Sequence, residues 1–366
     1  MSADYIMVGG FLGAGKTTAM LRLAEYLTQR GERVGLITND QSRGLVDTSI
    51  VTASGYPVEE ITGGCFCCRF NSLTDAADRL TREARPDVFL AEPVGSCTDL
   101  RATVQYPLRR LYGADYRVAP LSVLVDPTRA SRILGLEPGP SFSPKVLYVY
   151  EKQLEEADII VINKSDLLDA SQRDALEKAL KGRFPQAEVV TVSARTGANL
   201  DGWFERLSLP LATRPAMDVD YDTYAEGEAL LGWLNATCSV SSTTPFDGNR
   251  LLQLLADDVR GRLAAAGIET AHFKMTLAPD MGNDIAVLNL VRTDTTPELP
   301  HRLSEALTHG ELLVNLRAEG DPEELKTIAT AGLEAVTREM AISLSVDHLE
   351  HFRPGRPVPT HRMVTA

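Results

Sequence analysis

The run GFLGAGKT at residues 10–17 constrains this chain more than any other feature. It fits the spacing G-x-x-x-x-G-K-[ST]. It follows the apolar run Tyr5–Gly9 and opens the helical pattern Thr17–Arg30. A strand that turns through glycines into a helix can aim backbone N–H groups at a phosphate, and the helix N-terminus adds partial positive charge. Gly10, Gly13, Ala14 and Gly15 are expected to form that cradle, with Lys16 at the β- and γ-phosphates, Thr17 on Mg²⁺ and Thr18 beside it.

Such a loop needs a parallel sheet around it, and the first ~210 residues carry the pattern for one. Arg33–Thr38, Val88–Ala91, Leu121–Asp126, Asp158–Asn163 and Glu188–Val192 are short and apolar throughout, as strands covered on both faces are. Helical patterns at Asn71–Ala84, Lys145–Ala157 and Ala170–Arg183 separate them. Strand–helix alternation implies right-handed crossovers, hence an α/β fold: a doubly wound, mostly parallel P-loop NTPase sheet. The texture changes after Leu209. Expected are a nucleotide-binding domain over 1–212, a linker over 213–228, a smaller C-terminal α+β domain over 229–353 and an extended, proline-rich tail over 354–366.

The motif NKSD at 163–166 follows the apolar strand Ile159–Ile162. A carboxylate at Asp166 can accept from both guanine N1–H and the 2-amino group, a pair that adenine does not offer. Lys164 can lie over the base and Asn163 can brace the loop. Ser193 and Ala194 end the next strand, where a backbone N–H can meet guanine O6. Alone, N-K-x-D recurs by chance; at the end of a strand, ~150 residues after the glycine loop and one strand before Ser-Ala, it favours GTP over ATP.

The segment EITGGCFCC at 60–68 is the unusual one. Cys65, Cys67 and Cys68 follow a turn that Gly63 and Gly64 permit. Clustered thiolates suit soft or borderline metals such as Zn²⁺ or Co²⁺. Three ligands leave a fourth position exchangeable, which suits a carrier better than a structural staple. Cys97 is either a further soft ligand or a packed thiol. The six histidines all lie beyond residue 271, and His348, His351 and His361 read as surface or tail residues.

Taken together, GGFLGAGKTT at 9–18, the 60–68 segment, EPVG at 92–95, NKSD at 163–166 and SARTG at 193–197 resemble the CobW-type metallochaperone GTPases of the SIMIBI class, relatives of UreG and HypB. The resemblance covers residues 5–207 and is weaker beyond. It implies that Glu92 orients Mg²⁺ and the attacking water, and that Asp40 sits in a first switch segment near Mg²⁺. It makes Cys65, Cys67 and Cys68 the transition-metal ligands, with Glu60 as a helper. It implies a GTPase that couples nucleotide state to metal binding and delivers zinc or cobalt to a client metalloenzyme. The alternative is a GTPase that gates cofactor loading on a corrinoid-dependent enzyme without carrying metal. Without an assignable arginine finger, turnover is expected to be slow until a partner or a second copy acts, and a homodimer is one such arrangement.

Composition narrows the partners. The formal net charge is −13 over 366 residues, and no Lys/Arg-rich run is present. Such a surface repels phosphate backbones and anionic lipid, so neither nucleic acid nor membrane is expected as a partner. Met1–Tyr5 lacks a basic start and no stretch approaches ~20 apolar residues. With five cysteines, three of them clustered, a reducing cytoplasmic setting is the expectation.

Overall fold

The computed structural model describes residues 2–40, 46, 51–52, 54–209, 214–282 and 284–365. The chain divides into two compact units. The first takes the described residues of Met1–Arg43, Ile50–Ala225 and Arg356–Ala366, so it is closed by residues distant in sequence. The second takes Glu226–Gly355 together with Val46.

The first unit is built on β1 (Ala3–Gly10), β2 (Val34–Asn39), β3 (Val58–Ile61), β4 (Val88–Glu92), β5 (Tyr116–Val118), β6 (Ser122–Val125), β7 (Ile159–Ile162) and β8 (Glu188–Thr191). Their order is β3-β2-β4-β1-β6-β7-β8, with β5 also on β1, and every pairing is parallel. Side chains alternate across each strand. Ile6, Val8, Leu36, Leu90, Leu124 and Val161 face the helices Lys16–Gln29 and Leu200–Leu207. Tyr5, Met7, Ile37, Phe89, Val123 and Ile160 point the other way and are buried as well. Burial on both faces explains why these strands read as unbroken apolar runs.

Two strands of this unit escape the sequence reading. β3 is Val-Glu-Glu-Ile at the sheet edge and is only partly covered, so it lacks an apolar run. β5 has three residues with Arg117 exposed. Tyr221–Leu230, which runs from the expected linker two residues past its end at 228, is helical, and the Asp220 carboxylate accepts from the amides of Asp222 and Thr223 at its start. Residue 213, where that linker was expected to begin, lies outside the described residues.

The second unit is an antiparallel sheet of β9 (Leu231–Phe246), β10 (Thr270–Pro279), β11 (Ala286–Leu290), β12 (Glu298–His301), β13 (Leu307–Glu319) and β14 (Ser343–Phe352), in the order β12-β11-β10-β13-β9-β14. Leu234, Ala236, Cys238 and Val240 of β9 pack with Met275, Val314 and the helices Gly248–Ala265 and Pro322–Glu339. Asp247 and Asp321 cap those helices by accepting amide N–H groups. This is the expected α+β unit, with both long helices on one face.

Candidate nucleotide and metal site

In the parallel sheet, β3, β2, β4 and β1 are neighbours, and their carboxyl ends lie along one edge. Open α/β sheets bind ligands along that edge. Every motif singled out from the sequence of this unit leaves a strand there.

The loop after β1 turns through Gly10, Gly13 and Gly15, at φ 133°, 81° and 90°. Gly10 has no substitute: a Cβ there would stand 2.4 Å from the Leu124 carbonyl oxygen. Gly15 caps the helix Lys16–Gln29 in the left-handed region. Lys16 and Thr17 are buried, and Thr18 is exposed in the first turn. The Thr17 hydroxyl donates to Glu92 Oε1 at 3.1 Å, and Lys16 Nζ stands 3.9 Å from the same oxygen. Glu92 ends β4 and is 7% exposed. A cation, a hydroxyl and a carboxylate thus meet at the mouth of the glycine loop.

The NKSD loop is tied into that loop. Asn163 Nδ2 donates to the Ala14 carbonyl at 2.9 Å, and Lys164 Nζ donates to the Gly13 carbonyl at 2.7 Å. Lys164 takes φ 55° and pairs with Asp126 at 2.9 Å. Asp166 is exposed and its Oδ1 accepts from the Ser193 hydroxyl at 2.5 Å. The two amides expected to face guanine O6 both have partners in the protein. Ser193 N–H donates to the Ala198 carbonyl, and Ala194 N–H donates to Asn163 Oδ1 at 3.0 Å. An O6 contact from Ala194 has to be taken over from Asn163.

The cysteine segment hangs from the ends of β2 and β3. Asn39 Nδ2 donates to the carbonyls of Ile61 at 3.0 Å and Gly64 at 2.8 Å, and Asn39 Oδ1 accepts the Phe66 amide at 2.9 Å. The Asp40 amide donates to the Ile61 carbonyl at 3.1 Å. Gly63 and Gly64 take φ 75° and 149°, which lets the chain reverse into a turn closed by the Cys68 and Arg69 amides on the Cys65 carbonyl. The helix Phe70–Glu83 follows at once.

This turn brings three sulfurs together. Cys65 Sγ lies 2.7 Å from Cys67 Sγ and 3.3 Å from Cys68 Sγ, and Cys67 and Cys68 are 3.6 Å apart. Sulfurs on one zinc at about 2.3 Å stand roughly 3.8 Å apart in a tetrahedron, so the trio has to spread by only ~1 Å or less to hold one. Hydrogen bonds with the Cys67, Cys68 and Cys97 thiols hold Cys65 well below its usual range. The bond to Cys65 pushes Cys67 well up and Cys68 up to about 11. Of the three, Cys65 is therefore the first to give up its proton. Among the described residues, these are the metal-ligand side chains that lie within 4.8 Å of one another, and Glu60 is outside the group. Glu60 sits in β3, level with Thr38 of β2. Cys97 is 1% exposed and contacts Cys65 through its thiol.

Residues 4–191 match the family described as CobW/HypB/UreG, nucleotide-binding domain. The chain belongs to this family. It is 28% identical over 210 residues to a zinc chaperone CobW of Sinorhizobium sp, covering 52% of this chain and 58% of the relative. It is 31% identical over 176 residues to the zinc chaperone YeiR of Escherichia coli, covering 47% and 49%. The chain thus spans about half the length of the curated relatives it matches. Among solved structures, the Zn(II)-bound YjiA GTPase of E. coli covers 91% of this chain and 99% of its own, at 17% identity and a TM-score of 0.35. No helix among the described residues is long and apolar enough to cross a membrane.

Two site residues in this CobW-type chain lie outside the motifs. Asn39 organises the cysteine turn, and its signal was its place at a strand's carboxyl end, one residue before Asp40. Arg129 Nη1 donates to the Leu12 carbonyl at 3.1 Å and stacks on Phe11 and Phe142, bracing the phosphate loop. No local pattern marks it.

Proposed function

We propose that this chain binds and hydrolyses GTP, and that nucleotide state sets how firmly Cys65, Cys67 and Cys68 hold a zinc ion for handover to a client metalloenzyme. The observation that carries the reading is the convergence of three sulfurs on the same sheet edge as the glycine loop. Two curated relatives are named zinc chaperones, which favours zinc over cobalt as the cargo.

The assigned roles follow from chemistry. Gly10, Gly13, Ala14, Gly15 and Thr18 line the phosphate loop, and Lys16 neutralises the β- and γ-phosphates. Asp166 selects guanine, with Asn163, Lys164, Ser193 and Ala194 shaping its pocket. Mg²⁺ prefers oxygen donors; Thr17 and Glu92 offer them at the mouth of the loop, where the ion would neutralise phosphate charge, and Asp40, just after the strand Val34–Asn39, is the third candidate. Glu92 is the residue to orient the attacking water.

The coupling has a short covalent route. Glu92 begins the segment that reaches Cys97 five residues later, and Gly95 packs on Leu12 so closely that a Cβ would stand 2.8 Å from it. Gln153 Nε2 grips the Gly95 and Cys97 carbonyls at 3.0 and 2.8 Å. A shift of Glu92 toward or away from the nucleotide therefore moves Cys97 against Cys65. Zinc affinity, measured by chelator competition, is expected to differ about tenfold or more between GDP and a non-hydrolysable GTP analogue. Equal affinities would remove the coupling. Cys67→Ser is expected to abolish tight zinc binding and leave GTP affinity intact.

A further inference from the structure

Residues 356–365 return to the first unit and lie across the cysteine turn. The Val358 amide donates to Cys68 Sγ at 3.2 Å. The Thr360 amide donates to the Cys67 carbonyl at 2.9 Å, and its hydroxyl donates to the Cys68 carbonyl at 3.2 Å. The His361 ring meets Phe70 edge-on, with centroids 5.0 Å apart. Further along, Arg362 Nε donates to Asp99 Oδ2 at 2.7 Å and Nη2 to the Met217 carbonyl at 2.9 Å. The Met363 amide donates to the Ala102 carbonyl at 2.8 Å.

The segment is fastened on both sides of the sulfur contact. Arg356 pairs with Asp222 before it, and Arg362 pairs with the buried Asp99 after it. The Val358 side chain is 71% exposed, so what this position gives the protein is its backbone N–H. Pro357 and Pro359 flank it with fixed φ, which holds the amide in an extended presentation at little entropic cost.

We propose that residues 356–363 are the outer wall of the metal site, with the Val358 N–H as a positioning group for the Cys68 sulfur. The proposal rests on the cysteine trio being a metal site. An N–H···S bond stabilises the charge of a ligating thiolate and fixes its orientation, as outer-shell hydrogen bonds do at metal centres. The strap also covers the turn from which an ion must leave, so release requires it to lift.

Val358→Pro deletes the amide hydrogen within a run that is already proline-rich, and Val358→Ala keeps it. The probes are zinc transfer to a colorimetric chelator and the thiolate-to-cobalt charge-transfer band of the Co²⁺-loaded protein. Val358→Pro is expected to transfer zinc about tenfold faster, the worth of one charge-assisted hydrogen bond, and to shift the band to lower energy. Val358→Ala should restore both toward wild type. A Val358→Pro protein with the wild-type rate and band overturns the proposal while leaving the metal site standing. A wild-type protein that binds neither ion overturns the metal reading itself. Should Val358→Pro fail to fold, Arg362→Gln frees the distal anchor. Alkylation of Cys68 in metal-free protein, followed by peptide mass spectrometry, is then expected to quicken severalfold, and an unchanged rate overturns the strap.

Discussion

The Asn39 carboxamide oxygen accepts the amide of Phe66 at 2.9 Å, joining the end of β2 to the middle of the cysteine turn. The same side chain holds Ile61 and Gly64 through its nitrogen, so one buried amide sets the shape of the whole turn. Asn39→Ala leaves two carbonyls and an amide to find other partners. We expect a loss of about 2–4 kcal/mol in unfolding free energy, measured by urea denaturation, and weaker zinc binding. Wild-type stability and affinity would show that the turn holds itself.

Guanine selection is assigned to Asp166, whose Oδ1 is held by the Ser193 hydroxyl. Asp166→Asn replaces one acceptor by a donor facing guanine N1–H and the 2-amino group. GTP affinity should fall roughly 100-fold, and xanthosine triphosphate, with an oxygen at C2, should gain. Calorimetric titration with both nucleotides decides this. An undiminished GTP affinity would place the base elsewhere.

Gly10 is the tightest point of the phosphate loop. A methyl group at this position meets the Leu124 backbone at 2.4 Å and forces φ 133° on an L residue. Gly10→Ala is expected to lower the melting temperature by several degrees and to cut nucleotide affinity. A variant that melts with the wild type contradicts the close approach of β1 and β6.

Glu156 closes the helix Pro144–Glu156 and is 2% exposed. Burial pushes its carboxyl up to about 8, against the opposing hydrogen bonds from the Arg101 amide and the Thr98 hydroxyl. The folded state therefore holds a proton that the unfolded chain loses near its ordinary value of 4.5. Stability from this group is flat below that value, falls as pH rises toward about 8, and is flat above, by a total on the order of 5 kcal/mol. Glu156→Gln should remove this slope. Denaturant midpoints between pH 5 and 8 that slope equally in both proteins would disprove it.

Local pattern carried most of the parallel unit. Apolar runs marked β1, β2, β4, β6, β7 and β8 because each is buried on both faces. β3 was hidden because Glu59 and Glu60 lie on a half-covered edge, where charge is tolerated. The glycine loop, Asp166 and the three cysteines were legible because each motif compresses its chemistry into a few adjacent residues. Arg129 on the Leu12 carbonyl and Val358 on the Cys68 sulfur were not, because their partners are 117 and 290 residues away. A single hydrogen bond between a backbone amide and a remote side chain leaves no periodicity to read.

The return of residues 356–365 to the first unit also bears on how the chain matures during synthesis. The cysteines are translated well before the segment that lies across their turn, 290 residues before it in the case of Cys68 and Val358. Throughout that interval the Cys68 sulfur lacks the Val358 amide that holds it in the folded protein. On the proposed metal reading, an ion that arrives during translation would meet a different site from one that arrives at the finished protein.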